Sequence, residues 1–103
     1  MALFAVTTAK GPGWRHDHAI RDQRGWDDHA RYFDRLVDQG VVVFGGPIES
    51  RHHDEVALLA VRAADESEVR ATFGADPWAT SGVLRVKEVR TWTIWLDGRG
   101  SRT

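Results

Sequence analysis

The chain of 103 residues contains no cysteine. This absence excludes disulfides, thiolate nucleophiles, and zinc or iron–sulfur sites built on cysteine. Lysine is scarce as well, with two residues against twelve arginines, and the arginines are scattered along the chain. Because the formal net charge is only −1 and no basic face forms, the sequence predicts no nucleic-acid partner and no anionic-membrane partner.

Long apolar runs are also missing, since no stretch approaches the roughly 18 residues that a transmembrane helix requires. The first eight residues carry no basic segment ahead of an apolar core, so a secretion signal is not predicted. Together with the lack of cysteine, these features lead us to expect a cytoplasmic protein.

The remaining composition is that of an ordinary globular protein of one domain. We assign this domain to residues 1–97 and expect a flexible tail at 98–103, where Gly, Arg and Ser dominate. Apolar alternation and short apolar runs predict four strands, at residues 3–8, 41–44, 55–62 and 83–95. Along the fourth strand the apolar side chains switch from one face to the other, which predicts a bulge near Lys87.

Helix signals separate these strands. A helix is predicted over 28–39, with Asp27 or Asp28 as its cap and Gly40 at its end. Acidic residues at 65–66 precede a second helix that ends at 73–74, and Asp76 with Pro77 starts one more turn. The order β-α-β-β-α-β predicts an α+β protein of the ferredoxin-like type, with both helices on one face of an antiparallel sheet.

The predicted sheet leaves one face without helices. The chain has five tryptophans, which suggests that a second subunit covers this face and that most of the tryptophans pack at the interface. The sequence therefore predicts a homodimer.

The most informative residue is His29, which lies on the apolar side of the first predicted helix. The side chains that share its stripe fall three, four, seven and eight positions further along, at Tyr32, Phe33, Leu36 and Val37. An ionisable ring on a core-facing stripe needs a nearby compensating group. His29 is therefore the first candidate for a functional side chain.

Several motifs occur together and in order: the run from His29 to Gly40, then VVVFGGP at residues 41–47, then Ala-Asp-Pro-Trp at 75–78, and a closing Trp92. This arrangement resembles the YCII-related (YciI-like) family over residues 3–95. The upstream Trp14, Arg21 and Trp26 resemble one branch of it.

The resemblance implies a dimeric α+β barrel, in which two ferredoxin-like sheets pack face to face and each subunit has a cleft. It also implies a suspected active-site pair at the positions of His29 and Asp76. One branch of the family is similar to an enzyme that eliminates HCl from a chlorinated hydroquinone-type substrate without a cofactor. No residue in this chain singles out that substrate.

A His–Asp pair is chemically reasonable, because a carboxylate bonded to one imidazole nitrogen leaves the other nitrogen free to move a proton. A structural alternative stays open, in which His29 is a satisfied core histidine and Asp76 only caps the turn at Pro77. The two roles of Asp76 are compatible, since a carboxylate accepts several hydrogen bonds.

Further ligand contacts are expected at the mouth of this site. The candidate substrate-binding residues are Trp14, Arg21, Trp26, Gly46, Pro47 and Trp78. The three tryptophans among them suit an aromatic wall for a planar ligand, although interface packing is the commoner fate of tryptophan. The glycine pair before Pro47 is expected to form a tight turn at the pocket rim.

No cofactor is predicted, and a metal site has only weak support. His16 and His18, with His52 and His53, lack a third ligand at a characteristic spacing. We therefore predict a cofactor-independent acid–base enzyme that eliminates or isomerises a small cyclic or aromatic molecule. The competing hypothesis is a non-catalytic ligand-binding or accessory module on the same fold.

Overall fold

The computed structural model describes residues 1–51 and 54–99. Four antiparallel strands form the sheet: β1 (Ala2–Lys10), β2 (Val42–Pro47), β3 (Glu55–Ala63) and β4 (Leu84–Thr91). Their spatial order is β2-β3-β1-β4, so β1 and β3 lie at the centre of the sheet. Strands that are neighbours in space are thus not always neighbours in sequence, as in the ferredoxin-like arrangement.

In the described ranges, three α-helices lie between the strands: α1 (Trp26–Asp38), α2 (Glu66–Gly74) and α3 (Pro77–Ser81). A short 3₁₀ helix (Ile20–Asp22) precedes α1. The main core forms where α1 and α2 pack on one face of the sheet. Its buried side chains are Phe4, Val6, Val42, Val61 and Ala63 from the strands, and Leu36, Val69 and Phe73 from the helices. The predicted ferredoxin-like α+β fold is therefore confirmed. None of the helices in the described ranges is long and apolar enough to cross a membrane.

Two local predictions depend on glycine and on strand register, and both are confirmed. Gly40 follows the end of α1 with φ +76°, a left-handed conformation that glycine adopts without steric strain. In β4, Thr7 pairs with Glu88 whereas Thr8 pairs with Val86. Lys87 is therefore the extra residue of a bulge.

The predicted start of the first helix is wrong. The helix begins at Trp26, and the residue before it, Gly25, is left-handed (φ +81°) and gives no side-chain cap. Asp27 and Asp28 lie inside the first turn, where their charges favour the positive end of the helix dipole. The earlier start places Trp26 in the helix, where its ring packs against Trp78.

The predicted break after Phe44 is also wrong, because β2 continues through Gly45 and Gly46 to Pro47. These residues pair with β3, and β2 is an edge strand. An edge strand has a hydrogen-bonded neighbour on one side only, so proline is tolerated there although it has no N–H to donate. The Gly-Gly-Pro sequence is thus part of the sheet and not the tight turn that we expected.

The fourth strand is shorter than predicted and ends at Thr91, not at residue 95. Trp92 still donates its backbone N–H to Leu3 O, at 2.9 Å, and its ring then packs edge-on against Phe44 of the opposite edge strand. The guanidinium of Arg99 lies 4.6 Å from the centre of the same Phe44 ring. The chain after β4 therefore crosses the sheet. Residues 100–103 of the expected tail lie outside the described residues.

Candidate active site

His29 and Asp76 meet although 47 positions separate them in the sequence. His29 Nδ1 lies 2.9 Å from Asp76 Oδ1 and 3.0 Å from Oδ2. The pair is shielded from water, with the imidazole side chain 14% exposed and the carboxylate side chain 3% exposed. A hydrogen bond in so dry a position is stronger than the same bond at the surface.

The fold explains how Asp76 reaches His29. Asp76 is the N-cap of α3, and its Oδ1 accepts the backbone N–H of Trp78 at 3.0 Å. Pro77 follows at the first helical position, where its missing N–H leaves no donor unpaired. Asp76 therefore caps α3 and accepts a hydrogen bond from His29 at the same time, as its several lone pairs allow.

The pairing also fixes which imidazole nitrogen carries the hydrogen. An ionised carboxylate only accepts hydrogen bonds, so Nδ1 of His29 is the donor. In the neutral ring the lone pair then lies on Nε2, which has no hydrogen-bond partner among the described residues. This nitrogen is free to accept a proton from a molecule beside it.

Trp78 holds the imidazole from one side. Its ring centroid lies 3.9 Å from that of His29, with 12° between the two planes. The indole is completely buried, and its Nε1–H donates to the carbonyl oxygen of Arg24 at 2.6 Å. The stack and the Asp76 bond together fix both the tilt and the rotation of the His29 ring.

Tyr32 lies one turn after His29 on α1. Its hydroxyl donates to the carbonyl oxygen of Thr72 at 2.6 Å, which ties α1 to α2. Burial raises the pKa of the Tyr32 phenol, and the nearby negative charge of Asp76 raises that pKa further. Tyr32 therefore stays a neutral hydrogen-bond donor near the pair.

A cavity of about 240 Å³ lies between α1 and the sheet, and His29 forms part of its wall. Most of the lining is apolar, including Trp26, Phe33, Val37, Val42, Leu59 and Leu84. Within the described part of the chain, the ionisable side chains of the lining are His29 and Asp34, and no Arg or Lys lines it. The cavity suits a small, mainly apolar molecule.

Four of the predicted ligand-binding residues lie around this cavity: Trp26, Gly46, Pro47 and Trp78. The other two pack behind its aromatic wall. Trp14 packs edge-on against Trp78, with the ring centroids 6.2 Å apart, and the guanidinium of Arg21 lies 5.8 Å from the centre of the Trp26 ring.

Trp78 does not fit the interface that we expected for most of the tryptophans. Trp14, Trp26 and Trp78 contact one another within one chain, because their large rings fill the space between α1, α3 and the loop before α1. Trp78 has no surface left for a partner.

The sequence reasoning missed Thr8 and Asp34, which also line the cavity. Asp34 carries no signal at the sequence level, because a polar residue on an amphipathic helix is ordinary. Thr8 has a weak signal, since it follows Phe4 and Val6 on the core-facing side of an alternating strand. A hydroxyl on that face calls for a partner.

The weakly supported metal site receives no support. His18 Nδ1 lies 2.8 Å from Asp17 Oδ1 in the exposed loop, and this hydrogen bond lowers the pKa of Asp17. In residues 1–51 and 54–99, no three His, Asp or Glu side chains are arranged to hold a metal ion. His52 and His53 lie outside the described residues.

The chain is thus a small ferredoxin-like α+β protein with a shielded His–Asp pair in the wall of an apolar cavity. It belongs to the YCII-related family, whose domain model matches residues 4–93. Comparison with curated proteins and with solved structures gave no match.

Proposed function

We propose that the protein is a cofactor-independent acid–base enzyme that eliminates or isomerises a small cyclic or aromatic molecule. His29 transfers the proton through Nε2, and Asp76 orients the imidazole and stabilises the cation that forms. The observation that carries the proposal is the bond of Nδ1 to both carboxylate oxygens, at 2.9 and 3.0 Å, beside a cavity of ligand size.

The surroundings of the ring support a base rather than a purely structural histidine. A core histidine would use both nitrogens within the protein, whereas Nε2 of His29 has no partner in the part of the chain that the structure describes. Positioned imidazoles contribute about 10²- to 10⁴-fold to proton transfer. Trp26, which is half-buried in the lining, provides a flat apolar surface against which a planar ring can stack.

We further propose a cytoplasmic homodimer. Strand alternation places Phe4 and Val6 on the helix side of β1, so Ala5 and Thr7 point to the open side of the sheet. Leu58, paired with Thr7, shares this side. Packing against a second copy would remove the partly exposed side chains of Ala5 and Leu58 from water.

A general-base probe tests the proposed activity without knowledge of the natural substrate. In 1,2-benzisoxazole, a neutral aromatic bicycle, a base removes the proton on the ring carbon next to nitrogen. The electron pair of that C–H bond forms the nitrile as the N–O bond breaks, which yields 2-hydroxybenzonitrile. We expect the protein to accelerate this reaction beyond an equal concentration of free imidazole, and the His29→Asn variant to lose about 10²-fold or more of that rate.

The matched control is His18→Asn. His18 also bonds to an aspartate through Nδ1, at 2.8 Å, but in the exposed loop and away from the cavity. This variant should keep the full rate. If His29→Asn keeps its rate, or if the unmodified protein does not exceed free imidazole, the proposed enzyme activity is wrong.

The non-catalytic alternative is favoured by one observation, the cap that Asp76 supplies to Trp78 N. This cap gives Asp76 a structural reason to be present. On this alternative the cavity would bind ring compounds, while His29→Asn would change stability and binding in proportion and no turnover would be measured.

A further inference from the structure

Thr8 presents the most unusual polar atom near the cavity. The residue is 2% exposed, and its hydroxyl oxygen is buried with no hydrogen-bond partner among the described residues. Buried hydroxyls normally find a partner, and an exception calls for an explanation. Thr8 lines the same cavity as His29.

We propose that Thr8 is a ligand-positioning residue. Its side chain forms a hydrogen bond to the oxygen of a hydroxyl or carbonyl group on a neutral ring compound in the His29 cavity. This inference rests on the proposed function of the cavity. It defines the substrate class as a ring with an apolar body, one hydrogen-bonding oxygen and a proton that a base can remove.

The position of Thr8 in β1 supports this role. Thr8 follows Phe4 and Val6 on the helix side of the strand, and β1 is a central strand of the sheet. Thr8 therefore belongs to the sheet wall of the cavity, whereas His29 belongs to the helix wall. Rotation about χ1 exchanges the hydroxyl and the methyl group between staggered positions, so the oxygen can turn toward a ligand while the backbone stays in place.

The charges of the lining set the charge of the ligand. Asp34 repels anions, and no Arg or Lys from the described ranges lines the cavity to bind one. A carboxylate or phosphate group would lose its water without gaining a cationic partner. A neutral oxygen, such as a phenolic hydroxyl or a ketone, needs only a hydrogen bond.

Three probes of similar size separate these features: phenol, toluene and benzoate carry the same ring with a hydroxyl, a methyl or a carboxylate group. Titrations are followed by the indole N–H resonances in NMR spectra, because Trp26 and Trp78 line the cavity. The unmodified protein should bind phenol about tenfold more tightly than toluene. Benzoate should bind more weakly than either.

The variant Thr8→Val replaces the hydroxyl by a methyl group of the same shape. It should lose the preference for phenol and bind toluene at least as tightly as before, and Thr8→Ser should retain the preference. The control is Thr7→Val, because the Thr7 hydroxyl is also buried without a partner in the described residues but lies outside the cavity lining. This control should leave the preference unchanged.

The unfolding temperature distinguishes this role from a structural one. If the Thr8 hydroxyl stabilised the fold, Thr8→Val would unfold at a lower temperature. Replacing a buried, unpaired hydroxyl by an apolar group of the same shape is neutral or stabilising, so Thr8→Val should unfold at the same or a higher temperature. A lower unfolding temperature with an unchanged phenol preference would overturn the inference.

The result for His29→Asn separates this inference from the proposed function. If His29→Asn loses the preference for phenol and Thr8→Val keeps it, the role of Thr8 is wrong and the His29 site is still supported. The same holds if the protein binds both rings equally and still opens benzisoxazole through His29. Benzoate bound as tightly as phenol would overturn the inferred ligand charge, and failure of all three rings to bind would overturn both proposals.

Discussion

The imidazole of His29 lies flat against the indole of Trp78, with 3.9 Å between the ring centroids. Trp78 is itself fixed, because its Nε1–H donates to Arg24 O at 2.6 Å. An aromatic face attracts a cation above it. The stack therefore positions the imidazole, and a cation formed on His29 in the proposed reaction would lie against this aromatic face.

Trp78→Phe should weaken both functions of the indole. The smaller ring leaves space in the core, and Arg24 O loses its donor, so we expect the free energy of unfolding to fall by about 2–3 kcal/mol. The rate of benzisoxazole opening should fall because the imidazole is less well oriented. Denaturant titration and the rate assay measure the two effects. The control is Trp92→Phe, which changes a half-buried ring away from the cavity and should leave the rate unchanged. An unaltered rate in Trp78→Phe would contradict the orienting role of the indole.

Substitutions of Asp76 separate its two roles. Asn caps a helix about as well as Asp, so Asp76→Asn should change the unfolding free energy by only about 1 kcal/mol. Without the negative charge, the imidazolium is no longer stabilised and the hydrogen on Nδ1 is less firmly specified, so the rate should fall by about 10²-fold. Asp76→Ala should lose a further ~1 kcal/mol because the cap is also lost.

Asp65 offers a matched control, because its side chain caps α2 by accepting Glu68 N at 2.9 Å and has no histidine partner in residues 1–51 and 54–99. Asp65→Ala should lower the unfolding free energy by about 1 kcal/mol and leave the rate unchanged. Equal rates in Asp76→Asn and the unmodified protein would show that Asp76 is only a cap.

Tyr32 provides an optical measure of the charge on Asp76. It is the single tyrosine of the chain, so tyrosinate absorbance follows this residue alone. Burial and then the Asp76 charge raise its pKa above 10.0, and we expect the titration midpoint above that value. Asp76→Asn should move the midpoint down, while Asp38→Asn on the exposed end of α1 should not. A midpoint at or below 10.0 would be incompatible with the buried, neutral phenol.

The same pKa determines the sign of a pH effect on stability. The unfolded chain releases the phenolic proton at a lower pH than the folded chain, so the stabilisation from Tyr32 is complete below about pH 10 and is lost as the pH rises through the folded pKa. Denaturant titrations of the unmodified protein and Tyr32→Phe should show a smaller loss above pH 10 in the variant.

The proposed dimer is tested at Leu58, which points to the open side of the sheet by its pairing with Thr7. Leu58→Glu should convert a dimer to a monomer at micromolar concentration, because a carboxylate cannot be buried unpaired in the interface. Sedimentation velocity measures the change. Ser67→Glu adds the same charge on the exposed surface of α2 and should remain dimeric, and a monomeric unmodified protein would rule out the dimer.

The parts of the fold that were predictable from sequence are those with strong local signals. Gly40, the Asp76-Pro77 cap and the bulge at Lys87 each have a direct stereochemical cause, and each was found where expected. The start of α1 was missed because Gly25 turns the chain into the helix through its backbone alone, without the side-chain cap that sequence reasoning looks for.

The candidate site was predictable only in part. The position of His29 on an apolar stripe pointed to it, whereas the pairing with Asp76 came from family resemblance, because local pattern says little about partners 47 positions apart. The cavity and the buried hydroxyl of Thr8 depend on how α1 sits on the sheet, and no local pattern encodes that spacing. The same limit explains why the interface that we expected for most of the tryptophans does not hold for Trp78, which is completely buried within the chain.

The cavity described above opens between α1 and the edge strand β2, since Asp34, Val37 and Pro47 are exposed residues of its lining. On the other side, the hydrogen bond from Trp78 Nε1–H to Arg24 O fixes the loop before α1. The entry path for the proposed ligand therefore passes Asp34 and requires no movement of that loop. Exchange of ligands should be fast, and product release should not limit the rate of turnover.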